Sequence, residues 1–282
     1  MIEHLLYPLV CERFKVDERY KDGHLRVINA LPQRRVLGLH TPQMKQVVKQ
    51  ISKEGAEVVL PDGCRCCANG AEVISSFEEM AIYDLNSGCG GVPCLNLCYE
   101  ETVIWGGLIN IENSSVEKRL AMLERYVPVM DNWAVCDSYC ANAKWMARAD
   151  KELVWAFLQR WFDSDREFEV RFAVVASMCY FLCEEWMERV FERINTLDFD
   201  SIKSNYRSSK GKPKAAQEGT VQGAEPYYVR MGVAWLLATA LAKFPEQTRK
   251  FTSSSALPPD VIKLYVRKAR ESFRTRDLSP LL

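Results

Sequence analysis

Residues 150–195 read DKELVWAFLQRWFDSDREFEVRFAVVASMCYFLCEEWMERVFERIN, and this stretch decides the fold class. Within it, VWAFLQRWF (154–162) and WMERVFERI (186–194) each place apolar residues at steps of three and four, with charged residues between them. That spacing predicts helices with one apolar and one polar face. Short connections join these helices in pairs, which is typical of helical hairpins that stack and bury their apolar faces on their neighbours. We therefore predict an all-α solenoid of helical hairpin repeats.

The same pattern extends along most of the chain. Thr41-Pro42 supplies an N-cap and a first-turn proline for a helix that would end at Gly55. The sequences SSVE (114–117) and SDRE (164–167) fit capping boxes and predict two further helix starts. Other helices are predicted over about residues 98–112, 131–147, 150–162, 184–195, 226–244 and 258–273. Because these helices follow one another without a break in composition, we predict a single domain over residues 1–282.

Two segments interrupt the helical pattern. Residues 61–97 mix glycine and cysteine around a short predicted helix, and residues 201–224 are polar, basic and of low complexity, which predicts a mobile loop. Cys64, Cys67, Cys94 and Cys98 have spacings that a zinc site could use, and free thiols in a variable loop are the alternative. We favour the thiols and expect neither a metal nor a cofactor.

Composition excludes several classes of protein. The 282 residues are 48% hydrophobic and 26% charged, an ordinary globular composition, and the longest apolar runs fall short of a bilayer span. The first twenty residues lack the basic start and apolar centre of a signal peptide. Eleven cysteines without an export signal indicate reduced thiols, so we expect a cytoplasmic protein, and a monomer.

Charge is unevenly distributed. The chain has 37 basic and 37 acidic residues, yet residues 201–282 carry fifteen Lys and Arg against six Asp and Glu. A neutral protein with so basic a C-terminal third can present a phosphate-binding face, and a tail that serves only solubility is the alternative.

The segment VPVMDNWAVCDSYC (127–140) holds the first candidate site residues. Trp133 and Asp137 are four residues apart, so they lie on one face of a helix that Asp131 or Asn132 could cap. A carboxylate within an apolar helix indicates either a function or a structural partner on a neighbouring element. For Trp133, plain core packing is the alternative.

Two later segments combine aromatic and basic residues. PYYVRMGVAWLLATALAKFPE (226–246) offers Tyr228, Arg230 and Trp235, a combination compatible with nucleic-acid binding or with core packing. In DVIKLYVRKARESFRTRD (260–277), helical steps of four, three and four align four basic residues that suit a DNA backbone. These four are Lys263, Arg267, Arg270 and Arg274. A charged helix that caps a repeat array is the alternative.

Six segments together resemble the AlkD-type DNA alkylation-repair family, in the family's order. They are RVLGLHTPQMKQVVKQI (35–51), LCYEETVIWGGLI (97–109), VPVMDNWAVCDSYC (127–140), FEVRFAVV (168–175), YYVRMGVAWLLATALAKFPE (227–246) and IKLYVRKARESFR (262–274). The resemblance implies HEAT-like helical pairs with a concave, basic face that binds double-stranded DNA containing alkylated purines.

The resemblance also implies a reaction. In active members a Trp-x-x-x-Asp pair and a later Trp form the catalytic centre, and Trp133, Asp137 and Trp235 match them. The implied activity is that of a monofunctional glycosylase, which hydrolyses the N-glycosidic bond of N7-methylguanine or N3-methyladenine. Asp137 would stabilise the oxocarbenium-like sugar and position water, while the two tryptophans would hold the lesion nucleotide. Lys45 and Arg171 match positions that would contact the DNA backbone.

Two departures from the family pattern support a second interpretation. The segment HLRVINALPQRRVLGLHTP (24–42) has Pro32 and no aromatic residue where active members are aromatic and basic, and Ala238 replaces a common Arg. Relatives that bind damaged or branched DNA without excising a base are therefore the first alternative. A protein-binding solenoid is the second, because the fold alone permits it.

Overall fold

The computed structural model describes residues 1–60, 62–86, 96–209, 212–216 and 225–281. Across these residues the chain forms fourteen α-helices and two short strand pairs. The predicted all-α class is thus confirmed, whereas the solenoid arrangement stays a prediction. In the described part of the chain, no helix has the length and apolarity needed to cross a membrane.

Close packing divides the chain into two compact units, one over Met1–Trp145 that also takes in Ala215 and Ala216 at the end of the second strand pair, and one that begins at Met146. We call them unit 1 and unit 2. Unit 2 includes the described residues from 225 to 281. The prediction of one domain over the whole chain stays a prediction.

Unit 1 contains eight helices. They are α1 (Glu3–Leu6), α2 (Glu12–Val16), α3 (Glu18–Ile28), α4 (Thr41–Glu54), α5 (Gly70–Asn86), α6 (Tyr99–Ile111), α7 (Val116–Tyr126) and α8 (Trp133–Asn142). Between α4 and α5, strands β1 (Ala56–Val59) and β2 (Arg65–Ala68) pair as an antiparallel hairpin. Helix α6 packs against both α4 and α8, and this row of three helices carries the first candidate site residues.

Helix α6 lies at the centre of unit 1 because its side chains are apolar on almost every side. Trp105 is fully buried and stacks on Phe77 of α5. A Cβ atom at Gly107 would lie 2.6 Å from Cγ2 of Val48 in α4, far inside contact distance. The absence of a side chain at Gly107 therefore lets α4 and α6 approach closely.

Unit 2 is built on a second row of helices. Its elements are α9 (Lys151–Phe162), α10 (Glu167–Tyr180), α11 (Met187–Asn195), β3 (Tyr206–Ser209), β4 (Lys212–Ala215), α12 (Tyr227–Lys243), α13 (Pro245–Ser254) and α14 (Pro259–Glu271). Helix α12 packs against α10 and α14. Most of α10 and α12 is buried, which agrees with their apolar sequences.

Two of the three predicted helix starts lie within one residue of the observed start, but the capping residue differs in each case. Helix α4 begins at Thr41, which was predicted as the cap, and His40 is the cap instead; α7 begins at Val116, and Ser115, not the first serine of the predicted box, caps it by accepting the Lys118 amide. The box predicted at 164–167 is wrong, because α10 starts at Glu167 and Arg166 makes no side-chain cap. The Glu167 carboxylate binds Ser204 and Tyr228 instead.

Both interrupting segments contain regular structure. The helix in residues 61–97 is longer than predicted, since α5 buries apolar residues at helical spacing. Within 201–224, β3 and β4 pair where a loop was predicted. The fully buried ring of Tyr206 anchors this segment on Phe168 and Tyr228. Residues 210–211 and 217–224 lie outside the described part, so the mobility predicted there stays a prediction.

Candidate functional site

The start of α8 is fixed by two adjacent polar residues. Asn132 is the N-cap, because its side-chain oxygen accepts the Ala134 amide at 2.7 Å. Its amide nitrogen also donates to the carbonyl of Ile28 at 2.7 Å, which ties α8 to the end of α3. Of the two caps that the sequence allowed, Asn132 is thus the one used.

Asp131 serves a different purpose, as the partner of Arg34. Nε of Arg34 lies 2.9 Å from the Asp131 carboxylate, and both side chains are almost completely buried. The remaining guanidinium nitrogens donate to the carbonyls of Leu97 and Val129 and to Oγ1 of Thr102. A buried charge is tolerated when it is paired and hydrogen-bonded in this way. Arg34 therefore holds α8 in a defined position.

Trp133 and Asp137 occupy the accessible side of α8. Both are half-buried, whereas Val135, Cys136 and Tyr139 face the interior. The helix puts Trp133 and Asp137 one turn apart, as the spacing predicted. Their arrangement on one face is thereby confirmed, and their catalytic role stays a prediction.

A concave cleft of about 330 Å³ lies beside another side of α8, lined there by Ser138, Tyr139 and Asn142 and not by Trp133 or Asp137. Its walls come from α4, α6 and α8, and Ser138, the neighbour of Asp137, forms part of them. The lining is mostly apolar, with Gly107 and Val48 where α4 and α6 meet. A groove of this kind can receive an apolar or aromatic group while polar side chains at its edge bind charged parts of the same ligand.

Three lysines, Lys45, Lys49 and Lys144, line this cleft and are exposed. Among the residues that the structure describes, no carboxylate lies within ion-pairing distance of any of them. Cations that no protein carboxylate neutralises can bind phosphate without first breaking an ion pair. Sequence reasoning singled out Lys45 but missed Lys49 and Lys144. The step of four from Lys45 to Lys49 on one helix was the available signal.

In unit 2, Trp235 lies on α12 and is half-buried. The first turn of that helix is held by Glu167, whose fully buried carboxylate accepts the Tyr228 amide at 2.6 Å and the Ser204 hydroxyl. Burial raises the pKa of Glu167 to about 7, although these hydrogen bonds and the Arg171 charge act in the opposite direction. The carboxyl group therefore changes its protonation state near neutral pH.

Three predicted DNA contacts have partners inside unit 2. Arg171 is almost fully buried, its guanidinium donates to the Tyr228 carbonyl at 2.5 Å and lies near the Tyr228 ring. Tyr228 is itself buried, and Arg230, only 11% exposed, pairs with Asp260 at 2.5 Å. These contacts correct the prediction for Arg171, Tyr228 and Arg230, because buried, internally bonded side chains hold α10, α12 and α14 together instead of facing a phosphate.

The basic row on α14 is shorter than predicted. Lys263, Arg267 and Arg270 are exposed on the helix, but α14 ends at Glu271, so Arg274 lies beyond it. Arg274 is exposed as well, and Arg267 pairs loosely with Glu271 at 3.7 Å.

The cysteines suggested for zinc differ in their surroundings. Cys64 and Cys67 are exposed on the β1–β2 hairpin, Cys98 is buried at the start of α6, and Cys94 lies outside the described residues. Burial raises the pKa of the Cys98 thiol well above its usual value, and the nearby Glu101 and Glu100 charges act in the same direction. Since zinc binds thiolates, this environment disfavours Cys98 as a ligand.

Comparison with known proteins adds one finding. Residues 96–201 match the family model described as DNA alkylation repair enzyme. No curated protein and no solved structure matches the chain. The matched segment runs from just before α6 through α11, so it contains Trp133 and Asp137. Trp235 and all of α14 lie outside it.

Proposed function

We propose that the chain binds duplex DNA and excises alkylated purines, because residues 96–201 match the family model described as DNA alkylation repair enzyme. The bond hydrolysed is the N-glycosidic bond of cationic bases such as N7-methylguanine and N3-methyladenine. The observation that carries the proposal is the Trp133–Asp137 pair, half-exposed on one face of α8 within the matched segment.

The chemistry needs little from the protein beyond electrostatics. When the bond between C1′ and the base nitrogen breaks, the electron pair stays with the base and neutralises its positive charge, so no strong acid is required. Positive charge develops on the sugar instead, where the carboxylate of Asp137 would stabilise it. Water then adds to C1′ and releases a proton. In this proposal Asp137 orients that water, and its half-buried position on α8, which leaves part of the side chain accessible, supports this role.

Trp133 and the cleft would position the substrate. An indole at the start of α8 can contact the sugar and the cationic base through its aromatic face. Lys45, Lys49 and Lys144 would bind phosphates of the same DNA at the cleft. In this proposal Trp235 of unit 2 also contacts the DNA through its ring, and Lys263, Arg267, Arg270 and Arg274 bind the backbone.

The experiment is release of N7-methylguanine from methylated duplex DNA by the full chain, compared with heat depurination without protein. Release above that background is the expected result, and release at background level contradicts the hydrolase proposal. A binding titration at two salt concentrations then separates the alternatives, because affinity that falls with salt identifies a DNA-binding protein without glycosylase activity.

Ala238 is the observation that favours this second candidate, a DNA-binding relative without activity. It is buried in α12, one turn from Trp235, where it supplies no cation. If the chain binds neither damaged nor undamaged DNA, both candidates are wrong, and a protein-binding role remains.

A further inference from the structure

The chain after α14 forms a turn with a fixed backbone. The side chain of Thr275 is buried, and its hydroxyl donates to the Ala269 carbonyl at 2.7 Å. The amides of Thr275 and Arg276 both donate to the Ser272 carbonyl, at 3.1 and 2.8 Å. The Thr275 hydroxyl bond attaches residues 272–276, which we call the terminal turn, to α14, and the two amide bonds fix the shape of the turn itself.

The residues after the terminal turn are attached as well. The hydroxyl of Tyr265 in α14 donates to the Pro280 carbonyl at 2.8 Å, and Arg249 of α13 donates to the Ser279 carbonyl at 3.0 Å. The terminal turn is thus held at both ends by unit 2. A side chain at its tip keeps its direction unless several hydrogen bonds break.

Phe273 stands at the tip of this turn with 74% of its surface exposed. Burial of a phenyl ring is favourable, so exposure of Phe273 to water leaves that free energy unused. Because the turn is held by hydrogen bonds, the ring does not turn inward to pack against unit 2. The Arg274 guanidinium lies 5.7 Å from the ring centroid, and Arg270 and Arg276, three residues away on either side in the sequence, are exposed as well. The ring therefore projects from a cationic surface.

We propose that Phe273 inserts into DNA at an unstacked step and stacks on a base there, while the neighbouring arginines bind the flanking phosphates. Apolar side chains that enter base steps and aromatic rings that stack on bases are established means of binding deformed or unpaired DNA. The proposal rests on the DNA binding in the proposed function and is independent of hydrolysis. It adds a preference for DNA with an exposed base face, such as a one-nucleotide gap.

The charge of the surroundings selects DNA over an apolar partner. Between Lys263 and Asp277 six basic residues stand against the two carboxylates of Glu271 and Asp277. Glu271 pairs with Arg267 and Lys268, and Asp277 with Arg276. In the described residues, Arg270 and Lys263 have no carboxylate at ion-pairing distance. An aromatic ring with a guanidinium beside it and further cations nearby in the sequence can contact bases and phosphates together.

The test is a fluorescence-anisotropy titration of the full chain with two DNAs of equal length, an intact duplex and a duplex with a one-nucleotide gap. Phe273→Ala should weaken binding to the gapped DNA by roughly 5- to 150-fold, which is the range expected for loss of the stacking of one base. Binding to the intact duplex should change by less than about twofold, because no charge is removed. Phe273→Trp should keep the preference.

The matched control is Tyr7→Ala, which removes another exposed aromatic ring far from any arginine cluster in sequence. It should leave both affinities unchanged. Equal affinities of wild type and Phe273→Ala for the gapped DNA, or equal losses on the two DNAs, would overturn the inference. Absence of any DNA binding by wild type overturns both this inference and the proposed function. Binding without base release contradicts only the hydrolase proposal.

Discussion

The helices that carry Trp133 and Trp235 are anchored at their first turns by different electrostatics. In unit 1, α8 begins beside the buried ion pair of Arg34 and Asp131, 2.9 Å apart. In unit 2, α12 begins with a backbone amide bonded to Glu167, and burial raises the pKa of this carboxyl group to about 7. One anchor depends on a guanidinium, which keeps its charge in proteins, and the other on a carboxyl group that titrates near neutrality.

The difference shows that similar helices need not respond alike to the same perturbation. A buried ion pair fails when one partner is removed, because the other charge is left in an apolar interior. A buried carboxyl group with a raised pKa can take up a proton and remain buried. We therefore expect unit 1 to be sensitive to neutralising substitutions and unit 2 to be sensitive to pH.

The largest effect should come from Arg34→Met. The substitution leaves the Asp131 charge buried without its guanidinium and removes four hydrogen bonds. We expect the free energy of unfolding to fall by about 3–5 kcal/mol, measured by urea denaturation. The control, Arg35→Met, removes the adjacent arginine, which is 54% exposed, and should cost less than about 1 kcal/mol. Equal costs for the two variants would mean that the Arg34 pair does not anchor α8.

A pair of glycine substitutions compares the packing of the two units. A Cβ at Gly107 would meet Val48 at 2.6 Å, whereas a Cβ at Gly232 in α12 would meet its nearest atom, the Arg171 guanidinium, at 3.4 Å. Gly107→Ala should therefore lower the free energy of unfolding by about 1–3 kcal/mol. Gly232→Ala should change it by less than about 1 kcal/mol, because the gain in helix propensity offsets mild crowding. Thermal or urea unfolding of both variants checks this, and a neutral Gly107→Ala would contradict the close approach of α4 and α6.

The anchor in unit 2 predicts a pH dependence with a definite sign. The pKa of Glu167 is about 7 in the folded protein, against an ordinary value of 4.5. Between pH 4.5 and about pH 7 the carboxyl group is therefore protonated in the folded state and ionised in the unfolded state. The contribution of Glu167 to the free energy of unfolding therefore falls as the pH rises through this range. We expect the free energy of unfolding of wild type to fall, relative to Glu167→Gln, by on the order of 2 kcal/mol from about pH 5 to about pH 8. Parallel stability curves for the two proteins would show that Glu167 does not titrate in this range.

The smallest effect concerns DNA affinity. Lys49 of unit 1 has no carboxylate nearby in the described residues, whereas Arg267 of unit 2 pairs with Glu271. Lys49→Ala should weaken DNA binding about three- to tenfold and reduce the slope of log affinity against log salt by about one. Arg267→Ala should have a smaller effect, because Glu271 already offsets its charge. A larger loss for Arg267→Ala would assign the main phosphate contacts to α14 and not to the cleft.

Local signals in the sequence predicted much of the fold. Thr41-Pro42 and Ser115 mark the starts of α4 and α7, because capping chemistry involves residues only three positions apart. The placement of Trp133 and Asp137 on one face followed from helical periodicity alone. Helix α13 was missed because its sequence, PEQTRKFTSS, has little apolar periodicity.

Contacts between distant residues could not be predicted in this way. Arg34 and Asp131 are 97 positions apart, and Glu167 and Tyr228 are 61 apart. The sequence showed Arg171 as a cation without showing its direction, so a buried structural residue was taken for a DNA contact. One signal was present. Arg171 interrupts a helix that is apolar on nearly all sides, and a charge in such a helix more often has an internal partner.

The central claim is that α8 carries the catalytic carboxylate, and single-turnover release of N7-methylguanine by Asp137→Asn tests it most directly. We expect release at least about 100-fold slower than wild type, with DNA affinity and urea midpoint unchanged, because one charge-stabilising group is lost without a change in shape. The control, Asp22→Asn, neutralises an exposed carboxylate on α3 and should release base at the wild-type rate. Release by Asp137→Asn at the wild-type rate would contradict the assignment.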